Sequence, residues 1–273
     1  MAFQASQGLS PTGVVDQQTW DALEKPEPPK KTEASLFRRF GIATVDNTYE
    51  SSAKESIASR AVRVQDPVSG SIIDDRPTHI DGQPVVYLTF DDGPTKYTPL
   101  FVELLNRYNA RGTFFTLGSQ VDYSPDTTGL AAAAGHYQAN HTYWHPNLTY
   151  LGQTQFNTEI QIAHDAIQRA TNGQDQDRGR PLCLRPPYGA VNYYTESYAS
   201  ALGYELALWD VDPQDWRQPG AWQIANHIIA YSYPGAIILL HDGGGYRDQT
   251  QAALEIVLQS LSDQGYRFES LCS

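Results

Sequence analysis

Two adjacent carboxylates, Asp91 and Asp92, stand where an apolar run stops. The run Val85-Val86-Tyr87-Leu88 reads as a buried strand, and Gly93-Pro94 breaks it. Side chains alternate across a strand, so neighbouring acids leave its end toward different sides and can take different tasks. One of them could bind a metal while the other accepts a proton. A second cluster, His141-Thr142-Tyr143-Trp144-His145-Pro146, sets two imidazoles at i, i+4. One helical turn would point both the same way, as a metal pair must, and Pro146 would end that turn in a loop. Taken with Asp92 as a third ligand, they make an Asp-His-His facial set. Three protein ligands leave coordination positions open for water, the pattern of a catalytic rather than a structural metal.

The elements that must carry these residues follow from hydrophobic periodicity. Strands are predicted over 85–90, 112–117, 137–140, 182–185, 205–209, 236–241 and 266–271. Helices are predicted between them, over 98–109, near 129–134, and over 153–170, 193–202, 222–231 and 250–262. In the first helix Leu100, Phe101, Leu104 and Leu105 are read as one buried face. Alternating strands and helices imply an α/β fold with a mostly parallel sheet, and this many units suggests a barrel, complete or distorted. Chemistry in such barrels sits at the C-terminal ends of strands. The polar residues at those ends are Asp91 and Asp92; His141 and His145; Arg185 before Pro186-Pro187-Tyr188-Gly189; Asp210, Asp212 and Asp215; and His241-Asp242. That is most of the titratable equipment of a hydrolase.

With those residues in place, the chain resembles the polysaccharide deacetylases of carbohydrate esterase family 4. Five motifs stand in order over roughly 84–271: Thr89-Phe90-Asp91-Asp92-Gly93-Pro94, His141-Thr142-Tyr143-Trp144-His145-Pro146, Arg185-Pro186-Pro187-Tyr188-Gly189, Asp212-Pro213-Gln214-Asp215-Trp216 and Leu239-Leu240-His241-Asp242. The resemblance implies a distorted (β/α) barrel of the polysaccharide deacetylase type. It implies that Asp92, His141 and His145 hold a divalent metal, usually Zn2+, with Co2+ or Mn2+ as substitutes. Asp91 would be the general base, paired with Arg185, which would lower its pKa. The backbone N–H of Tyr188 would meet the oxyanion. His241 would be the general acid, oriented by Asp215, and Trp216 with Leu239 would form a pocket for the acetyl methyl group. The implied substrate is a β-1,4-linked amino-sugar polymer. Peptidoglycan N-acetylglucosamine is favoured, chitin oligomers and acetylxylan are the alternatives, and an inactive carbohydrate-binding relative is the remaining one. A glycosidase is disfavoured, because adjacent carboxylates rarely span a scissile bond.

The rest of the chain bears on setting rather than chemistry. Residues 1–23, with Pro11-Thr12-Gly13-Val14-Val15-Asp16 and Trp20, resemble the last third of a peptidoglycan-binding repeat. Residues 24–55 begin with prolines among lysines and glutamates and read as a linker, leaving 56–273 as the catalytic domain. A formal net charge of -12 argues against nucleic acid or an anionic membrane as partner and makes a neutral polymer, or one whose product is cationic, easier to accept; the resemblance implies a polysaccharide partner. No run is apolar and long enough to span a bilayer. No signal-peptide pattern opens the chain, and the expected setting is secreted or cell-envelope, with the export signal absent from this chain. Cys183 and Cys272 are compatible with a disulfide and equally with two separately buried thiols.

Overall fold

The computed structural model describes residue 73, residues 75–173 and residues 182–272. The N-terminal repeat, the linker and the boundary expected at residue 56 lie outside the described residues.

Strand β1 (His79–Ile80) turns back antiparallel into β2 (Gln83–Asp91), the strand on which the sheet is centred. On β2 pair three parallel strands: β3 (Gly112–Thr116), β7 (Ile237–His241) and, lower down, β8 (Arg267–Phe268). The sheet continues in parallel through β4 (Tyr137–Asn140), β5 (Leu182–Leu184) and β6 (Tyr204–Leu206). The curl closes through an extended segment after β6, where Val211 bridges Ile238 of β7. The N–H of Leu239 donates to the Val211 carbonyl at 2.9 Å. The barrel is therefore distorted at that seam.

Helices α1 (Thr98–Arg107), α2 (Gly118–Tyr123), α3 (Pro125–Ala133), α4 (Gln153–Thr171), α5 (Tyr193–Ala201), α6 (Ala221–Tyr231) and α7 (Asp248–Asp263) connect the strands. The stripe that α1 buries is Thr98, Phe101, Val102, Leu104 and Leu105. Leu100, expected on that face, is 39% exposed. The stripe centres on Phe101 and Leu105, one turn apart, which leaves Leu100 at its margin. Six-residue α2 was not predicted, since Gly-Ser-Gln carries no apolar period.

Strand β2 is buried on both faces, which explains its unbroken apolar run. Val86, Leu88 and Phe90 pack outward with Phe101, Leu105 and Leu254 under the helices. Val85 and Tyr87 pack inward with Phe115, Ala139 and Ile237. Continuing the inward row gives Thr89 and then Asp91, so the interior turns polar only at its upper end. A disulfide joins Cys183 of β5 to Cys272 beyond β8, with Cα atoms 6.2 Å apart.

Candidate active site

Asp91 ends β2 on the inward face, where Arg185 holds it. One guanidinium nitrogen donates to the Asp91 carboxylate at 2.8 Å and to Thr89 Oγ1 at 2.7 Å. The others donate to the carbonyls of Ala207 at 3.0 Å and Leu208 at 3.1 Å, and the group lies 4.0 Å over the Phe115 ring. A fully buried cation is tolerable only when it is well hydrogen-bonded, and here each of its three nitrogens donates. The expected lowering of the Asp91 pKa does not follow. Burial raises it, and the opposing pull of Arg185 and His241 does not cancel that rise.

Asp92 leaves the strand at φ 73°, a left-handed turn that brings its carboxylate to the two imidazoles. Its Oδ1 lies 3.5 Å from Nε2 of His141 and 3.5 Å from Nε2 of His145. His141 Nδ1 donates to the Arg185 carbonyl at 2.7 Å, which leaves its Nε2 as a bare lone pair. Burial pushes the His141 pKa down to about 3, against the pull of Asp92, so the ring is neutral at ordinary pH. Asp92 Oδ1 is buried and has no hydrogen-bond partner among the described residues. A carboxylate oxygen and an unprotonated ring nitrogen thus face one another with no proton between them. A divalent cation satisfies that arrangement, and the residues fit one.

The histidines do not share a helical turn, contrary to the expectation from their spacing. Thr142 at φ 71° and His145 at φ 63° are left-handed, and backbone of that hand cannot propagate a right-handed helix. Hydrogen bonds pin this loop instead. Asn140 Oδ1 accepts from the Thr142 N–H at 2.8 Å, and Thr142 Oγ1 accepts from the His145 N–H at 3.0 Å. Glu159 of α4 accepts from the N–H groups of Tyr143 and Trp144 at 3.1 and 2.9 Å. Sequence reasoning missed Asn140 and Glu159. A polar residue closing a buried strand was a signal for Asn140; for Glu159 there was none.

Across the site His241 Nδ1 donates to Asp215 Oδ1 at 2.7 Å. Asp215 Oδ2 accepts from the His241 N–H at 3.0 Å and from Thr250 Oγ1 at 2.9 Å, so the fully buried carboxylate is locked. Burial works against a charge on His241, but the Asp215 hydrogen bond and the fields of Asp215, Asp91 and Asp92 outweigh it and raise its pKa. Beside it, burial pushes Asp242 up to about 7. The N–H groups of Asp242 and Gly243 both donate to the Asp91 carbonyl at 3.1 Å, tying the ends of β7 and β2 together.

The remaining expected residues are placed as follows. Trp216 follows Asp215 in a short 3-10 turn and is 48% exposed, whereas Leu239 is buried on β7 at the register of Thr89, two residues before His241. Tyr188 adopts φ 63° at the start of the 3-10 turn Pro187–Gly189, where a helical N–H has no intrahelical partner. Its exposed ring meets the His145 ring edge-on at 4.6 Å. Left-handed backbone at Asp92, Thr142, His145 and Tyr188 concentrates strain around one point, as functional sites do. Asp210 and Asp212 are structural: the first pairs with Arg76 at 2.6 Å, and the second accepts from the Gln214 N–H in a turn. A groove lined by Asp92, Thr95, Leu117, Gln120, His145 and the Gly244-Gly245 pair opens beside the ligand set.

Residues 79–207 match the family model described as polysaccharide deacetylase. A peptidoglycan-N-acetylglucosamine deacetylase of Bacillus cereus is 36% identical over 191 residues, which is 69% of this chain and 86% of that protein. The chain belongs to the polysaccharide deacetylase family. A chitooligosaccharide deacetylase of Sinorhizobium fredii is 35% identical, covering 70% of this chain and 91% of that one. The solved structure of peptidoglycan deacetylase PdaC from Bacillus subtilis aligns with a TM-score of 0.62 at 34% identity, over 69% of this chain and 88% of that chain. Residues 1–23 match a model described as a putative peptidoglycan binding domain.

Proposed function

We propose that this deacetylase hydrolyses the N-acetyl groups of peptidoglycan N-acetylglucosamine, in the cell envelope or outside the cell. The observation that carries the reading is the orphaned Asp92 oxygen facing His141 and His145, between an Arg185-held Asp91 and an Asp215-held His241. A divalent ion held by Asp92, His141 and His145, zinc in our reading, would polarise the acetyl carbonyl and acidify the attacking water.

The chain's own residues supply the remaining steps. Asp91 takes a proton from that water, and Arg185 fixes the carboxylate in the orientation that receives it. The Tyr188 N–H donates to the oxyanion that develops on the acetyl oxygen. His241 carries the proton that the leaving amine needs, and Asp215 keeps its ring oriented and favours its charged form. Leu239 and Trp216 receive the acetyl methyl group. Water and amide become acetate and a free amine. We read residues 1–23 as a truncated remnant of a peptidoglycan-binding repeat, 24–55 as linker and 56–273 as catalytic domain; the match of residues 1–23 supports a wall polymer as substrate.

A chitooligosaccharide substrate is the second reading, favoured by the similar identity to the Sinorhizobium fredii protein. Acetate release should be measured from peptidoglycan, chitopentaose and acetylxylan, with metal-stripped protein and after zinc is restored. Zinc-dependent release greatest from peptidoglycan is expected. Greater release from chitopentaose would exchange the two readings, and release from none by zinc-loaded protein would remove the enzymatic one.

A further inference from the structure

Among the described residues most cations are occupied by oxygen partners. Five of the eight described arginines face carboxylates. Arg111 and Arg247 donate to backbone carbonyls, and Arg217 lies 4.6 Å over the Trp216 ring. Lys96, the one lysine among the described residues, has no carboxylate partner there. Its ammonium lies instead 4.9 Å from the centre of the Tyr97 ring and 5.9 Å from that of Tyr246. The Tyr97 hydroxyl donates to Asp248 at 3.1 Å, which fixes one of those rings.

The place matters as much as the lack of a partner. Lys96 follows Thr95, and Tyr246 follows Gly245; both Thr95 and Gly245 line the groove beside Asp92 and His145. Tyr246 is 70% exposed, so its ring can carry a sugar face while the ammonium beside it takes a charge. An ammonium steered by two rings loses less freedom on binding an anion than an unrestrained lysine does. Because the chain as a whole is negative, one exposed cation next to a groove-lining residue does not gather anions from a distance. It discriminates among those already docked.

We propose that Lys96 binds a carboxylate carried by the glycan, so that the groove favours an anionic amino-sugar polymer over a neutral one. The inference rests on the deacetylase reading and deepens it. In peptidoglycan such a carboxylate has two sources, the lactyl group of the muramic acid sugar and the stem peptide.

The test compares zinc-loaded wild type, Lys96→Met and Lys96→Arg on three glycans: chitopentaose, peptide-free peptidoglycan oligomers and stem-peptide-bearing oligomers. In Lys96→Met the ratio of kcat/KM for the anionic glycan to that for chitopentaose should fall about threefold to fivefold, the scale of one exposed ion pair. The fall should lie in KM, be reversed in Lys96→Arg, and shrink for wild type as salt is raised. A fall with the peptide-free oligomers assigns the lactyl carboxylate; a fall only with the stem-bearing ones assigns the peptide. An unchanged ratio on both, in a variant that still releases acetate, overturns the inference and leaves the deacetylase reading standing. No acetate from any glycan with wild type overturns both.

Discussion

At the scale of single residues, two neighbouring aspartates with the same chemistry sit in opposite surroundings. Asp91 is 3% exposed and met by Arg185, while Asp92 presents an unpartnered oxygen to two imidazoles. Asp91→Asn should abolish turnover with zinc affinity retained, and Asp92→Ala should lose zinc first. Competition titration with a chromophoric chelator reads both, and metal loss in Asp91→Asn would break the division of labour. The His241–Asp215 pair makes a second prediction, in pH. His241 must be protonated to act as an acid, so activity falls as pH rises through its pKa, which Asp215 holds above the ordinary histidine value. In Asp215→Asn the raising charge is gone, and the alkaline limb of the kcat/KM profile should move to lower pH. A limb that stays in place would take His241 out of the acid role.

At the scale of elements, legibility followed the range of the interactions. The strand over 85–90 was readable because a buried parallel strand is a short apolar run, and the rule of strand ends then pointed to Asp91, His141, Arg185 and His241, which the structure brings to one end of the sheet. The path of the chain between His141 and His145 was not readable. Its left-handed residues are held by Glu159, which reaches back from α4, and by Asn140, whose amide also donates to Ile160 of that helix at 3.0 Å. No local pattern announces such a contact. The same reasoning explains why HxxxH suggested a helix: the spacing is helical, but tertiary hydrogen bonds override it. Helix α4 is thus a template for the ligand loop. Glu159→Ala should weaken zinc binding by about tenfold or more, the usual effect of losing a group that orients ligands. Glu159→Gln keeps an acceptor oxygen and should recover most of that loss. Equal zinc affinity in all three proteins would show that the loop holds its shape unaided.

At the scale of the whole described unit, the site is a meeting of strand ends, and its precision depends on how the curled sheet is held closed. Closure is uneven. Strand β2 carries β3, β7 and β8, whereas β5 and β6 are three residues each and join β7 through the bridge at Val211. Arg185 follows β5 directly, and its carbonyl orients His141, so this thinner side of the barrel bears on both Asp91, the proposed base, and the proposed metal ligands. The Cys183–Cys272 link ties that side to the chain beyond β8 across a sequence separation of 89. Closing a loop of that length restricts the unfolded chain by about 4–5 kcal/mol in the entropy account. Replacing both cysteines by alanine should therefore cost about 2–5 kcal/mol of stability, seen as a lower denaturant midpoint with an altered slope, since the unlinked chain unfolds to a more open ensemble. If the link also braces the site, zinc affinity of the folded variant should fall below that of wild type measured under the same conditions. A variant with lower stability and unchanged zinc affinity would confine the disulfide to the unfolded state, and the hydrogen bonds of Arg185 alone would then set the geometry of that wall.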